Sequence, residues 1–304
     1  MGDVVDDGAG PGGLSTREQL SADEVEAILD LQVTTQQRDG APPLNDAAIA
    51  MLHRSDARAR HLLMHTDEGL AGYAQLDGSA GSVVVHPDHR RRGLGTRLVR
   101  ELLAHATSGL QVWAVGNSPA AQALAATTGL TAQRTLLIMR RPTDLPLPPA
   151  RLATGITVRT FQPGSDDTDW LALNARAFRQ HPEQGLLTQV DLDLRMAEPW
   201  FDPDGFFLAA ESGALIGFHW TKQHPDHLGE VYVLGVDPAA GGRGLGRALL
   251  TIGLEHLRDR GNLAVQLYVE ADHAGAVGLY RASGFAEVNR DVMYAQPTPE
   301  LAQI

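Results

Sequence analysis

Two segments 151 residues apart carry the same design, and this repetition restricts the chain to two copies of one fold. Val83-Val84-Val85-His86-Pro87 runs into Arg90-Arg91-Arg92-Gly93-Leu94-Gly95, and Val233-Leu234-Gly235-Val236-Asp237-Pro238 runs into Gly241-Gly242-Arg243-Gly244-Leu245-Gly246. Pro87 maps to Pro238 and Gly93 to Gly244 at that one offset. Two anchors at a single spacing indicate tandem domains, and 304 residues is ample for two buried cores. Between the copies, residues 141–149 form a Pro-rich stretch, stiff and unable to join a central strand. We therefore expect residues 1–15 without fixed structure, a first domain over 16–141, a Pro-rich linker over 142–154 and a second domain over 155–304.

Apolar periodicity gives each half the same order of elements. In the second half, 169–179 has helical spacing, 205–210, 215–221 and 230–236 read as strands, and 245–260 is an amphipathic helix. A strand over 263–269, a helix over 274–282 and a strand over 287–294 follow. The first half repeats this with 70–76, 82–85, 94–106, 110–115, 119–127 and 132–139. Both halves are therefore mixed α/β.

Composition removes several function classes. A net charge of −12 repels a phosphate backbone, so nucleic acid is not an expected partner. No cysteine means no disulfide, no thiolate nucleophile and no zinc–thiolate site. No apolar run reaches 18 residues and the acidic, Gly-rich N-terminus lacks signal-peptide features, so no membrane is expected and the cytoplasm is the expected address. Of the 25 Lys and Arg, only Lys222 is a lysine. In a chain that otherwise uses Arg throughout, that position is a candidate for one where Arg would not serve, chance survival being the alternative.

A strand leading through glycines into a helix points free backbone N–H groups, and the positive end of the helix dipole, at an anion. A P-loop would need Gly-Lys-Ser/Thr, and Arg97 or Arg247 stands beyond the last Gly instead. A dinucleotide fingerprint would need a third Gly, where Leu98 and Leu249 stand. What remains, Arg/Gln-x-x-Gly-x-Gly/Ala, resembles the pyrophosphate loop of the GNAT superfamily of acyl-CoA-dependent N-acyltransferases. The first half matches through Arg90, Gly93 and Gly95; the second departs at Gly241 but keeps Gly242-Arg243-Gly244-Leu245-Gly246. Leu279-Tyr280-Arg281-Ala282-Ser283-Gly284-Phe285 also fits that superfamily's tyrosine before Gly-Phe, with His273 at its usual Asn. The first half has Ala125 at the tyrosine's place.

The resemblance implies two GNAT domains, each a central, mostly antiparallel twisted sheet flanked by helices, with acetyl-CoA as cosubstrate, one per domain, and no metal. Acyl transfer to an amine needs a base for the amine, stabilisation of the oxyanion and a proton for the leaving thiolate. Glu230, opening the strand before the glycine turn, is the candidate base, and a solvated strand-end charge is the alternative. Tyr280 is the candidate acid. At the 151-residue offset Glu230 meets Ser79, so the first half is expected to bind acetyl-CoA without catalysing. His224-Pro225-Asp226-His227 and His86-Pro87-Asp88-His89 look ligand-rich, but His86 maps to Asp237, and both read as solvated Pro turns.

Longer strings, His181-Pro182-Glu183-Gln184-Gly185, residues 200–205, 217–222 and 228–238, resemble the mycothiol synthases, a family of actinobacterial tandem GNAT proteins. That resemblance implies acetylation of the cysteinyl amine of a cysteine–glucosamine–inositol pseudodisaccharide, by a monomer. It assigns this substrate to Asp46, Glu183, Lys222, Glu230 and Tyr268. Backbone groups of Leu234, Gly235 and Val236 would meet the acyl-pantetheine arm. Gly241, Gly242, Arg243, Gly244, Leu245, Gly246 and Arg247 would take the pyrophosphate. His273, Ala274, Gly275, Ala276, Val277 and Gly278 would line the rest of CoA. A second acetyl-CoA would lie on Val83, Val84 and Val85 with Arg91, Arg92, Gly93, Leu94, Gly95 and Thr96. The alternatives are acetylation of another amine (a protein N-terminus, an antibiotic or a polyamine) and a non-catalytic acetyl-CoA sensor.

Overall fold

The computed structural model describes residues 13–53, 59–179 and 184–297. Glu183 thus lies outside the described residues, as do residues 1–12 of the N-terminal segment. Gly13, Leu14 and Ser15, expected to lack structure, instead open the first strand. The chain forms two compact units. One comprises the described residues up to Leu136 together with those from Asn289, and the other runs from Leu137 to Val288.

In chain order the first repeat supplies β1 (Gly13–Arg17), α1 (Ala22–Asp39), α2 (Asp46–Met51), β2 (Ala59–Thr66), β3 (Gly69–Asp77) and β4 (Ala80–Val85). It continues with α3 (Leu94–His105), β5 (Gln111–Ala114), α4 (Pro119–Thr128) and β6 (Thr131–Pro142). The second supplies β7 (Ile156–Thr160), α5 (Asp167–Ala177), α6 (Gln189–Met196), β8 (Phe206–Glu211), β9 (Ala214–His224) and β10 (Leu228–Val236). Then follow α7 (Leu245–Asp259), β11 (Ala264–Glu270), α8 (Ala274–Ala282) and β12 (Ala286–Ala295).

The first unit's sheet runs β1-β2-β3-β4-β5-β12 and the second's β6-β11-β10-β9-β8-β7. β1–β2, β2–β3, β3–β4, β5–β12, β7–β8, β8–β9 and β9–β10 pair antiparallel, whereas β4–β5 and β10–β11 pair parallel. The last strands of the two repeats are exchanged, which the repeat alone did not predict. Residues 292–295 of β12 pair with 111–114 of β5, and Tyr294 packs into the first unit's core with its hydroxyl on Asn117 Oδ1 at 2.9 Å. Conversely, Leu137 and Met139 of β6 enter the second unit's core. Both strands end equivalent repeats and meet equivalent edges, so local sequence does not distinguish the two arrangements.

Nor is the Pro-rich stretch free at its start. The buried Arg141 guanidinium donates to the carbonyls of Ser283 at 2.8 Å and Leu145 at 2.6 Å, and the Thr143 hydroxyl donates to Asn262 O at 2.7 Å. These bonds satisfy a buried cation with backbone oxygens.

α7 buries Leu245, Leu249, Leu254 and Leu257 on the face that its apolar spacing predicts, with Leu250 also buried, while Ile252 of that stripe is only half-buried. Its approach to the sheet requires Gly253. The buried His219 ring of β9 donates from Nδ1 to Leu249 O at 2.8 Å, and a Cβ on residue 253 would collide with that ring. Burial pushes the His219 pKa down to about 4, so the ring is neutral.

Candidate active site and acyl-donor cleft

In the second unit the parallel ladder between β10 and β11 holds only Leu228–Ala264, Gly229–Val265 and Glu230–Gln266. Beyond it β10 runs on to Val236, still paired to β9, while β11 diverges. Backbone groups of Leu234, Gly235 and Val236 that face away from β9 therefore open onto a cleft. The cleft begins at a bulge. Val231 pairs with Thr221 and Val233 with Trp220, leaving Tyr232 as an extra residue that re-aims the strand.

That bulge corrects an equivalence. Counting pairs back from Val236–Gly217 and from Val85–Gly72, Glu230 opposite Lys222 matches Ala80 opposite Asp77. The counterpart of Glu230 is Ala80, not Ser79, because Tyr232 adds one residue. β3–β4 pairs without a register shift, so the first unit lacks the bulge as well as the carboxylate.

The two faces of the splay differ in chemistry. Val231, Val265 and Leu267 point into the core beneath α7 and α8, where Tyr280 also lies. Burial raises the Tyr280 pKa to about 12, its ring packs edge-on to Phe285, and among the described residues its hydroxyl has no hydrogen-bond partner. By strand alternation Lys222, His224, Glu230, Gln266 and Tyr268 lie on the opposite face. Glu230 is buried, receives a hydrogen bond from His224 Nε2 at 2.6 Å on Oε2, and meets Gln266 Nε2 at 3.4 Å on the same oxygen. Lys222 Nζ stands 4.6 Å from the Trp200 ring centroid and 5.6 Å from that of Tyr232, a cation held by aromatic faces. Tyr268 is 47% exposed on this face.

At the cleft's far end Gly242 and Gly244 take positive φ of 75° and 76°, and Gly244 caps α7 without any side-chain hydrogen bond. The first N–H groups of α7, including those of Gly246 and Arg247, are thereby left for an anion. Gly241 closes the preceding turn by donating to Pro238 O at 3.2 Å. Arg243 is committed elsewhere: it grips Glu211 through two bonds of 2.7 and 2.6 Å, holding that carboxyl below its usual range. α8 begins at His273, whose Nδ1 accepts from Ala276 N at 3.2 Å. The imidazole thus performs the capping that an Asn would, in front of Ala274, Gly275, Val277 and Gly278.

The first unit repeats the cleft without the reactive groups. β4 and β5 pair only at Ala80–Gln111 and Gly81–Val112 before they diverge. A cavity of about 600 Å³ lies there, lined by Val83, Val84, Val85, Arg91, Gly93, Leu94, Gly95 and Thr96, with Trp113, Ser118 and Asn289. Arg92 does not line it and stands 3.4 Å from His89 Nδ1. Gly93, at φ 83°, caps α3 without a side-chain bond, and Arg91 adopts φ 63° where the second repeat has Gly242. Ala80 and Ala125 stand at the places of Glu230 and Tyr280. Asp46 is the first residue of α2 in this unit.

Sequence reasoning read His224 as part of a solvated Pro turn, whereas it ends β9, half-buried and bonded to Glu230, and it gave no role to Gln266, Trp200 or the Tyr232 bulge. The signal for His224 was a three-residue hairpin, 225–227, with Asp226 and His227 at positive φ, which brings residues six apart to one face. Among the described residues no group of three His, Asp or Glu side chains is placed to hold a metal ion, and no helix is long and apolar enough to cross a membrane.

The acetyltransferase (GNAT) family profile matches residues 25–129 and 170–285. A mycothiol acetyltransferase of Thermomonospora curvata is 51% identical over 92% of this chain and 96% of its own. The chain belongs to the mycothiol acetyltransferases of the GNAT family. Among solved structures, this acetyltransferase is similar to a GCN5-related N-acetyltransferase from Sphaerobacter thermophilus, at 27% identity and a TM-score of 0.71 over 96% of this chain and 98% of that one. A tandem GNAT protein from the clavulanic acid pathway shares the fold at 18% identity and a TM-score of 0.67, over 93% and 98%.

Proposed function

We propose that the second unit transfers the acetyl group of acetyl-CoA to the cysteinyl amine of the cysteinyl-glucosaminyl-inositol, giving mycothiol. The observation that carries the reading is the splay of β10 and β11, with a buried carboxylate on one face and a partner-free tyrosine hydroxyl on the other. An amine arriving on the Glu230 face loses a proton to that carboxylate, directly or through one water, and attacks the thioester carbonyl. With an α-amine pKa of about 7.7–8.0, a modest base suffices. Backbone N–H groups of the strand after Tyr232 are suited to the oxyanion. The thiolate departs toward Tyr280, which supplies a hydrogen bond from the opposite face. Lys222, Tyr268 and Glu183 would hold the pseudodisaccharide.

The free N–H groups ahead of α7 would take the pyrophosphate, with Arg243 bracing the loop through Glu211 rather than touching the ligand. The first unit would bind a second acetyl-CoA and leave it unreacted, having Ala80 and Ala125 in place of base and acid. Mass spectrometry after incubation with acetyl-CoA and the pseudodisaccharide tests the reading, and one acetyl gained by the substrate is the expected result. Glu230→Ala should cut turnover by about 10²–10⁴-fold while leaving acetyl-CoA affinity unchanged. Equal loss of turnover and affinity would remove Glu230 as the base, and no acetyl gained by wild type would remove this substrate.

A further inference from the structure

Glu230 has two oxygens and the structure uses them unequally. Oε2 receives the 2.6 Å bond from His224 Nε2 and lies 3.4 Å from Gln266 Nε2. Oε1 has no partner among the described residues. Gln266 is itself oriented, since its Oε1 lies 3.3 Å from Arg140 Nη2, which leaves its amide N–H₂ turned to Glu230. His224 is the outer member of the set. Its side chain is 27% exposed against 9% for Glu230.

We propose that His224 is the positioning residue of the base: its Nε2–H anchors Oε2 and turns Oε1 toward the amine. The inference rests on Glu230 being the base. A buried carboxylate oxygen needs a hydrogen-bond partner, and at 2.6 Å the bond from His224 is short for an N–H···O pair. The other charged or titratable groups on this face are accounted for. Lys222 lies opposite Glu230 on β9 with its ammonium over Trp200, Tyr268 follows Gln266 on β11, and Arg140 of β6 acts through Gln266. Arg195 of α6 donates to the Tyr232 hydroxyl at 3.1 Å, while Asp226 and His227 occupy the exposed turn. His224 is the group in direct contact with the anchored oxygen.

The test compares His224→Leu and His224→Gln, a glutamine amide being able to present a neutral donor near the place of Nε2. His224→Leu should lower kcat by about ten- to a hundred-fold and leave acetyl-CoA binding unchanged by calorimetry. His224→Gln should recover most of kcat. A Gln variant no better than Leu overturns the proposal, as does a loss of acetyl-CoA affinity equal to the loss in kcat. Glu230→Gln assayed beside them separates the two readings. An active Glu230→Gln removes the base itself, whereas an inactive one together with a fully active His224→Leu removes only the role of His224.

Discussion

Tyr280→Phe separates proton transfer from hydrogen bonding at the leaving sulfur. The hydroxyl has no partner among the described residues, so its removal strands no buried group, and the Phe285 contact keeps the ring in place. Stability should therefore change by less than about 0.5 kcal/mol. The tyrosine's pKa is raised to about 12 by burial, whereas an ordinary thiol titrates near about 8.5. Handing a full proton to a finished thiolate would then be uphill by about 5 kcal/mol, at about 1.4 kcal/mol per unit. Tyr280 is accordingly suited to donate a hydrogen bond as charge builds on sulfur, and a bond to a charged group contributes about 1.5–3 kcal/mol. That converts to a loss in kcat of roughly 10- to 150-fold, with KM for acetyl-CoA little changed. Steady-state rates by mass spectrometry, beside a thermal melt, make the measurement. A loss beyond about 10³-fold would mean that a full proton crosses to sulfur, and a loss under about threefold that the hydroxyl does not meet it; either refutes the argument.

Stability should fall as pH drops from the usual histidine range toward 4. His219 is neutral in the folded chain with a pKa of about 4, while the unfolded chain takes up the proton from its ordinary value of 6.5. In that window the unfolded state binds more protons, so stability rises with pH and up to roughly 3 kcal/mol is lost on acidification; a urea midpoint from this group that stays flat between those values would contradict the burial argument. Arg91→Gly should stabilise the first unit by about 1 kcal/mol, read as a higher melting temperature, because a left-handed φ of 63° strains any residue with a Cβ. The same variant should weaken acetyl-CoA binding at the first cleft, since Arg91 lines it.

Much of this was legible in the sequence because the relevant signals are local. The glycine turns, the amphipathic face of α7 and the end of α8 at Ser283-Gly284-Phe285 are each specified within about a dozen residues. Lys222, Glu230 and Tyr268 converge because alternation along paired strands is a simple period. What escaped depends on pairing. Tyr232 looks like any other strand residue, and its extra place in the ladder emerges only when β9 is laid beside β10. The strand expected to open at Glu230 begins two residues earlier at Leu228, and that earlier start is what puts His224 within reach of the carboxylate. The exchange of β6 and β12 is less visible still, since two strands of similar pattern compete for similar edges.

That exchange has a consequence for the chain while it is being made. The first unit's bonds to β12 span long separations: Gly116 N donates to Asp291 Oδ1 across 175 residues, and Leu110 N to Gln296 Oε1 across 186. At about 5–20 residues per second, a ribosome takes roughly 10–40 seconds to bridge that distance. Throughout that interval the edge of β5 stands open, and the first strand to emerge after it is β6, a plausible but wrong occupant. The nascent protein must either keep β6 away from that edge or release it once the second repeat arrives, so the arrival of β12 determines when the first unit is finished.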